Sequence, residues 1–241
     1  TSTYMSKDNF LSGDTTFITL DSSLTNIEKT SFDEKNYFTY QSLGNIGTPL
    51  NNIFNYNSSS FSVVPGINSL DKYYLLSSEA KFYDTKSPYI DLSLFVGGNG
   101  RSMVDFVFSR NINKNWNIGF DIHRISADKQ VAASKAKGDK NINSSLFKLF
   151  IYHKSNDEKL TLYSDFVSFR HQILGNGGVN VLTDSLPLEF FIYNDFNTRL
   201  NSIENLERRK RFNVFINYKL VDGLEIYNDF KYNTQQVDYL D

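Results

Sequence analysis

Three observations predict the fold class. Side chains alternate between apolar and polar over long stretches, the connections between those stretches come in two very different lengths, and no run of about 18 apolar residues exists to make a membrane helix. Together they predict an all-β chain, an antiparallel up-and-down transmembrane β-barrel. The alternation is clearest from Arg101 to Ile125. Val104, Phe106 and Phe108, then Trp116, Ile118, Phe120 and Ile122, hold the even positions, while Asp105, Asn117, Gly119, Asp121 and His123 hold odd ones. A period of two gives each set its own face of a strand. Pairing Arg110 with Lys114 around residues 111–113 makes a hairpin that keeps the even residues on one side.

Composition narrows the class. The 241 residues include 21 Phe and 15 Tyr but only 4 Pro, and the mean hydropathy is only -0.40. Strands with one apolar and one polar face average to such a value, as barrel strands do. There is no Cys, so neither disulfides nor Cys-ligated metals are available. A net charge of -2 gives no case for nucleic acid as a partner. The chain opens at Thr1 without an apolar leader, which fits a mature protein whose signal peptide is gone or a trimmed chain.

The segment 1–60 is rich in Ser, Thr, Asn and Asp and reads as a polar, extended N-terminal piece held to a larger body; residues 61–241 read as the barrel strands. Within the first piece, TTFITLD at 15–21 is a weak strand signal and YQSLGNIGTPL at 40–50 a sharp turn. The stretch 72–83 (KYYLLSSEAKFY) reads as a strand region closed by the turn 84–88. Ile90, Leu92, Leu94 and Val96 then alternate with Tyr89, Asp91, Ser93 and Phe95, and GGNGR at 97–101 returns the chain. Residues 126–143 and 171–210 read as long polar connections. Between them, 146–154 and 158–170 pair around 155–157. Leu160, Leu162 and Phe166 keep the even face, but Phe147, Leu149 and Ile151 are odd and Lys148 even, which leaves the faces of that strand open. Phe212, Val214, Ile216, Tyr218 and Leu220 resume the even face. Residues 221–223 make a turn with Gly223 where a left-handed residue is wanted, and Leu224, Ile226 and Phe230 follow.

Short turns at one end and long connections at the other match the short periplasmic turns and long extracellular loops of outer-membrane barrels. Phe108, Trp116, Tyr152 and Tyr218 are expected to form an aromatic girdle near the short turns. Val104, Phe106, Phe108, Trp116, Ile118, Phe120, Ile122, Phe212, Val214, Ile216 and Tyr218 are then lipid-facing. Asp105, Asn117, Asp121, His123, Asn213, Asn217, Lys219, Glu225, Asp229 and Lys231 line the lumen, and Asn117→Arg is expected to be tolerated there. Mixed signs on that face predict weak charge selectivity.

Catalysis has little to work with. There are 3 His and no HExxH or GxSxG motif. Asp105, Asp121 and His123 share a face and could serve acid–base chemistry, but a hydrated lumen wall explains them as well. LGNGGVN at 174–180 near the cations 208–211 lacks the Lys-Ser or Lys-Thr pair of a phosphate-binding loop.

YQSLGNIGTPL at 40–50, FYDTKSPYIDLSLFVGG at 82–98, SRNINKNWNIGFDIHRIS at 109–126 and LGNGGV at 174–179 together resemble the β-barrel porin family of the Bacteroidetes outer membrane. The resemblance implies an outer-membrane barrel of more strands than 241 residues hold. The chain ends Tyr239-Leu240-Asp241, not on the terminal aromatic residue of many such barrels, so the sequence is expected to be the N-terminal part of a larger barrel.

The expected function is an outer-membrane porin passing small hydrophilic solutes, or a barrel subunit of an envelope assembly. It needs no enzyme activity, cofactor or metal. Its partners are outer-membrane lipid and lipopolysaccharide, small solutes and envelope proteins, with no nucleic acid. The alternative is a secreted or surface β-sandwich that binds glycans through its aromatics. The two differ in where Val104, Phe106, Trp116, Ile118, Phe120, Val214 and Ile216 point.

Overall fold

The computed structural model describes residues 2–12, 14, 16–20, 39–54, 68–74, 80–129, 139–179, 198–221 and 223–240. From the N-terminus the chain forms β1 (Thr3–Ser6), the short helix α1 (Lys7–Leu11), β2 (Ile18–Thr19), β3 (Tyr40–Gln41), β4 (Asn51–Asn52), a 3-10 helix (Asn68–Tyr73) and β5 (Lys81–Asp84). The long alternating segments follow as β6 (Tyr89–Val96), β7 (Ser102–Asn113), β8 (Trp116–Asp128), β9 (Lys140–Lys154), β10 (Leu160–Val179), β11 (Thr198–Val221) and β12 (Leu224–Leu240). These last make one 7-stranded sheet in sequence order, every neighbouring pair antiparallel. The chain is nearly all β, as its alternation predicts, and the sheet is an up-and-down arc of the kind a barrel is made from.

Several expectations about connections are corrected. β7 runs through Asn113, Arg110 pairs with Ile118 rather than Lys114, and a bulge between Asn111 and Asn113 tightens the hairpin to Lys114 and Asn115. Asn113 Oδ1 accepts from the backbone N–H of Asn115 and Trp116 at 2.8 and 3.0 Å, holding that turn by a side chain. Of the connection expected at 126–143, residues 126–128 belong to β8 and 140–143 to β9; its middle, 130–138, lies outside the described residues. Of the excursion expected at 171–210, residues 171–179 belong to β10 and 198–210 to β11; its middle, 180–197, lies outside the described residues. Polar composition misled here because ladder hydrogen bonds need only backbone, and the ends of barrel strands stand in water beyond the bilayer. Gly223 does take the left-handed conformation (φ 85) expected of it, as do Asn99 (φ 56) and Gly100 (φ 62) in the connection at 97–101.

The faces of β9 are now assigned, and they are reversed. Its even residues Ile142, Ser144, Leu146, Lys148 and Phe150 are buried, and its odd residues Asn143, Ser145, Phe147 and Leu149 are exposed. The register pairs even residues of β8 with odd ones of β9, and odd ones of β9 with even ones of β10, so the phase inverts for one strand and returns. Facing the other way, Lys148 would stand among apolar side chains; facing this way it meets Asp121 at 3.2 Å.

The described residues before position 86 lie across one face of the sheet, called inner below. β1 pairs with β2 and β5 in a 3-stranded sheet, and Ser6 caps α1 by accepting from the Asn9 N–H at 3.1 Å. Phe82, Tyr83 and Ala80 enter one core with Phe150, Tyr163 and Phe215. Tyr74 enters a second core with Leu146, Val167 and Phe169. Between Gly44 (φ 91) and Gly47 (φ 79) the chain turns sharply, as read from the sequence. The Asn45 side chain there donates to Asp128 O and Asn141 Oδ1 at 3.1 and 3.0 Å.

Candidate functional site

The two faces of the sheet differ in kind. On the outer face the apolar residues form a belt: Ile90 to Val96 on β6, Val104 to Phe108 on β7, Trp116 to Ile122 on β8, and Phe147 to Ile151 on β9. It continues over Leu160 to Phe166 on β10, Phe212 to Leu220 on β11, and Leu224 to Tyr232 on β12. No described residue covers it, and Leu92 and Val96 keep 62% and 74% of their surface exposed. A patch of this extent marks a surface that meets something other than water.

The belt is slanted against the register. Ile90, Phe108, Phe120, Leu149, Phe166, Phe212 and Tyr232 are successive partners across the sheet. That row is the turn-side end of the belt on β6 and its loop-side end on β12. Measured between its centres, Ser93 and Asn228, the belt slides seven residues, because the register carries Ser93 to Gln235. Seven residues at about 3.3 Å is about 23 Å, and six strand spacings at about 4.8 Å make about 29 Å. The strands are therefore inclined about 40° to the normal of the belt, within the tilt of about 35–45° at which barrel strands cross a bilayer.

The inner face is polar and ionic but not open. Asp165, fully buried, accepts from Arg211 Nη2 at 3.0 Å and Asn213 Nδ2 at 3.2 Å. Asn117 accepts from Ser109 Oγ at 3.0 Å and donates to Asn111 Oδ1 at 2.7 Å. Asn111 in turn accepts from the Thr85 N–H at 3.2 Å and donates to Asp84 Oδ1 at 2.7 Å, which ties β5 to β7. At the far edge, Lys7 of α1, itself buried, reaches Asp229 of β12 at 2.7 Å. Asp71 on the 3-10 helix holds Arg209 at 2.6 Å. His171 is buried between Tyr73 and Phe169. Its Nε2 donates to Gly47 O and its Nδ1 accepts from the Ser144 hydroxyl, both at 2.8 Å. These contacts fasten the N-terminal segment from β7 to β12.

Two tyrosines of that segment feel the burial. The Tyr83 hydroxyl is held protonated well above the usual tyrosine range by desolvation, reinforced by the Asp121 carboxylate. Desolvation likewise raises Tyr74, and the guanidinium groups of Arg211 and Arg209 partly offset it.

All the residues expected to be lipid-facing lie on the outer face, and all those expected to be lumen-lining lie on the inner face. The inner ones are not all hydrated: Asn117, Asp121, Asn213 and Asn217 are buried, while Glu225 and Lys231 are exposed. Asn117→Arg is therefore not expected to be tolerated, since Asn117 sits at 1% exposure inside a hydrogen-bonded group. Asp105 and His123 do meet, Oδ1 to Nδ1 at 2.9 Å. Asp121 instead pairs with Lys148, so the three do not converge on one point. Tyr152 is corrected: it faces inward, its ring stacked on Phe82 at 5.2 Å. Trp116, stacked on His153 at 4.1 Å, and Tyr218 do stand outward near the turns, while Phe108 lies deeper in the belt. A glycan-binding sandwich would need a second sheet over Val104, Phe106 and Phe120; the β2-β1-β5 sheet packs on the opposite face.

The sequence reading missed the residues that occupy the inner face: Lys7, Asn45, Asp71, Tyr74, Phe82 and Tyr83. The stretch 72–83, read from the sequence as a strand region, instead supplies the end of the 3-10 helix and most of β5, whose aromatics pack on the inner face.

No curated protein and no solved structure matches the chain. A family model described as putative porin matches residues 2–241, and its name describes channel proteins. With an antiparallel sheet, a slanted apolar belt and a match over nearly its whole length, the chain belongs to the putative porin family.

Proposed function

We propose that this chain supplies the wall and the inner segment of an outer-membrane barrel with a porin-like role, and that small hydrophilic solutes pass between the two. The slanted belt carries the membrane part of this reading: a soluble sheet has no reason to shift its apolar band with the strand tilt, whereas lipid requires it. Passage is supported by the polar and charged character of the inner positions on β12, among them Glu225, Lys231, Asn233 and Gln235. Both signs of charge occur there, which favours weak charge selectivity. The N-terminal segment packs on β7 to β11 and reaches β12 at Asp229, and the route runs along the rest of that side.

The test is conductance in planar bilayers together with swelling of liposomes in small sugars. Wild-type protein is expected to conduct weakly. Lys7→Ala with Asp71→Ala removes two fastenings of the segment and is expected to raise open probability several-fold. If the folded protein inserts and neither form changes permeability, the passage reading is wrong. If the protein stays monomeric in buffer without detergent, the membrane reading itself is wrong.

A further inference from the structure

Cations gather at one place on the outer face. Arg170 of β10 and Arg208 of β11 are direct partners across the antiparallel pair, and Lys210 stands two residues from Arg208 on the same side. All three are exposed. Like charges set directly opposite destabilise a sheet unless an opposite charge joins them. Asp238 answers Arg208 at 2.6 Å, but Arg170 and Lys210 have no carboxylate partner among the described residues. Inner-face cations are treated differently: Arg211 has Asp165, Lys148 has Asp121 and Lys7 has Asp229. Arg211, Lys148 and Lys7 are matched with acid on the inside, whereas Arg170 and Lys210, like Arg110 and Arg124 elsewhere on the outer face, have no carboxylate partner among the described residues.

Their height on the sheet gives this meaning. On β10 the belt ends toward the loops at Phe166, and on β11 at Phe212. Arg170 lies four residues past the first, about 13 Å along the strand and about 10 Å in height at the tilt derived above. Lys210 lies two past the second. Stems of such length lie along apolar surface while their heads reach the aqueous boundary. A lipid whose chains rest on Phe166 and Phe212 brings its headgroup to that level. A phosphate there would take the fork of the Arg170 guanidinium and the Lys210 ammonium, with the Ser168 hydroxyl between them as a further donor.

We propose that Arg170, Lys210 and Arg208 form an outward-facing site for the phosphate of a membrane lipid seated against the apolar belt. The assignment rests on the membrane reading above, and detergent-dependent folding tests that reading separately. The probe is diphosphorylated lipid A in mixed micelles with the folded full chain, read by thermal unfolding. The same lipid with its phosphates removed, and inorganic phosphate alone, are the comparisons. The diphosphorylated lipid is expected to raise Tm, and both comparisons to leave it unchanged. Arg170→Gln with Lys210→Gln is expected to shift the half-maximal lipid concentration upward about tenfold or more. Arg110→Gln, an outward cation near the turns, is expected to leave it unaltered. A wild-type response indifferent to the phosphates overturns the site without any variant, as does an equal response of the double variant. An equal response to inorganic phosphate reduces the patch to a general anion site. A protein that inserts normally yet shows any of these results loses this inference and keeps the membrane reading.

Discussion

Gly119 is a position where one carbon atom decides the fit. A Cβ there would lie 2.3 Å from the carbonyl oxygen of Phe108 and 2.3 Å from Phe150 Cζ, because the Phe150 ring covers its cross-strand partner. Gly119→Ala is expected to cost about 1–3 kcal/mol in urea unfolding of the refolded protein. Gly175→Ala, whose Cβ would meet nothing within 4 Å, is expected to change stability by less than about 0.5 kcal/mol. Equal losses would mean that Phe150 swings aside. On the other face, Phe120 lies near the middle of the belt. Phe120→Arg is expected to cost about 2–4 kcal/mol in a bilayer, while Asn233→Arg, exposed on β12, is expected to cost little. Which residues alternate was legible from sequence at this scale. Which way Lys148 turns was not, since that depends on Asp121 of another strand, and register cannot be read from either strand alone.

The long strands were legible as elements because each carries its own period of two. The N-terminal segment was not, since its order comes from what it touches. β1, β2 and β5 are 4, 2 and 4 residues long, too short for a pattern, and they hold shape through Phe82, Phe10 and Tyr83 against the wall. The family-like motif at 40–50 shows the same dependence: its turn was predicted, but its role, anchoring Asn45 and Gly47 to β8–β10, required the sheet. One consequence is alkaline sensitivity. A tyrosine whose folded pKa is raised stays protonated when the unfolded form ionises, so its stabilising effect is complete below the ordinary value of about 10 and is lost as pH rises beyond it. Tyr83 and Tyr74 both carry such a shift. Raising the pH from 9 to about 11 is expected to increase proteolysis of the N-terminal segment while the sheet stays intact, and Tyr83→Phe is expected to reduce that pH dependence. A segment equally protected at both pH values would contradict it.

At the scale of the molecule, the slanted belt makes an orientation measurable. Polarised infrared spectra of the protein in aligned bilayers are expected to report a mean strand tilt of about 40°. A value near zero would show that the belt and the bilayer are unrelated. The two margins of the sheet set a further condition. β6 and β12 run in the same direction, because every strand between them reverses the last. Joined edge to edge they would form a parallel seam, so a purely antiparallel ring takes an odd number of additional strands between them. One is too few: a ring of about eight strands encloses little more than its own side chains, and this interior already holds a helix and a small sheet. A closed ring built on this arc would therefore be wide, with a circumference set by what it encloses.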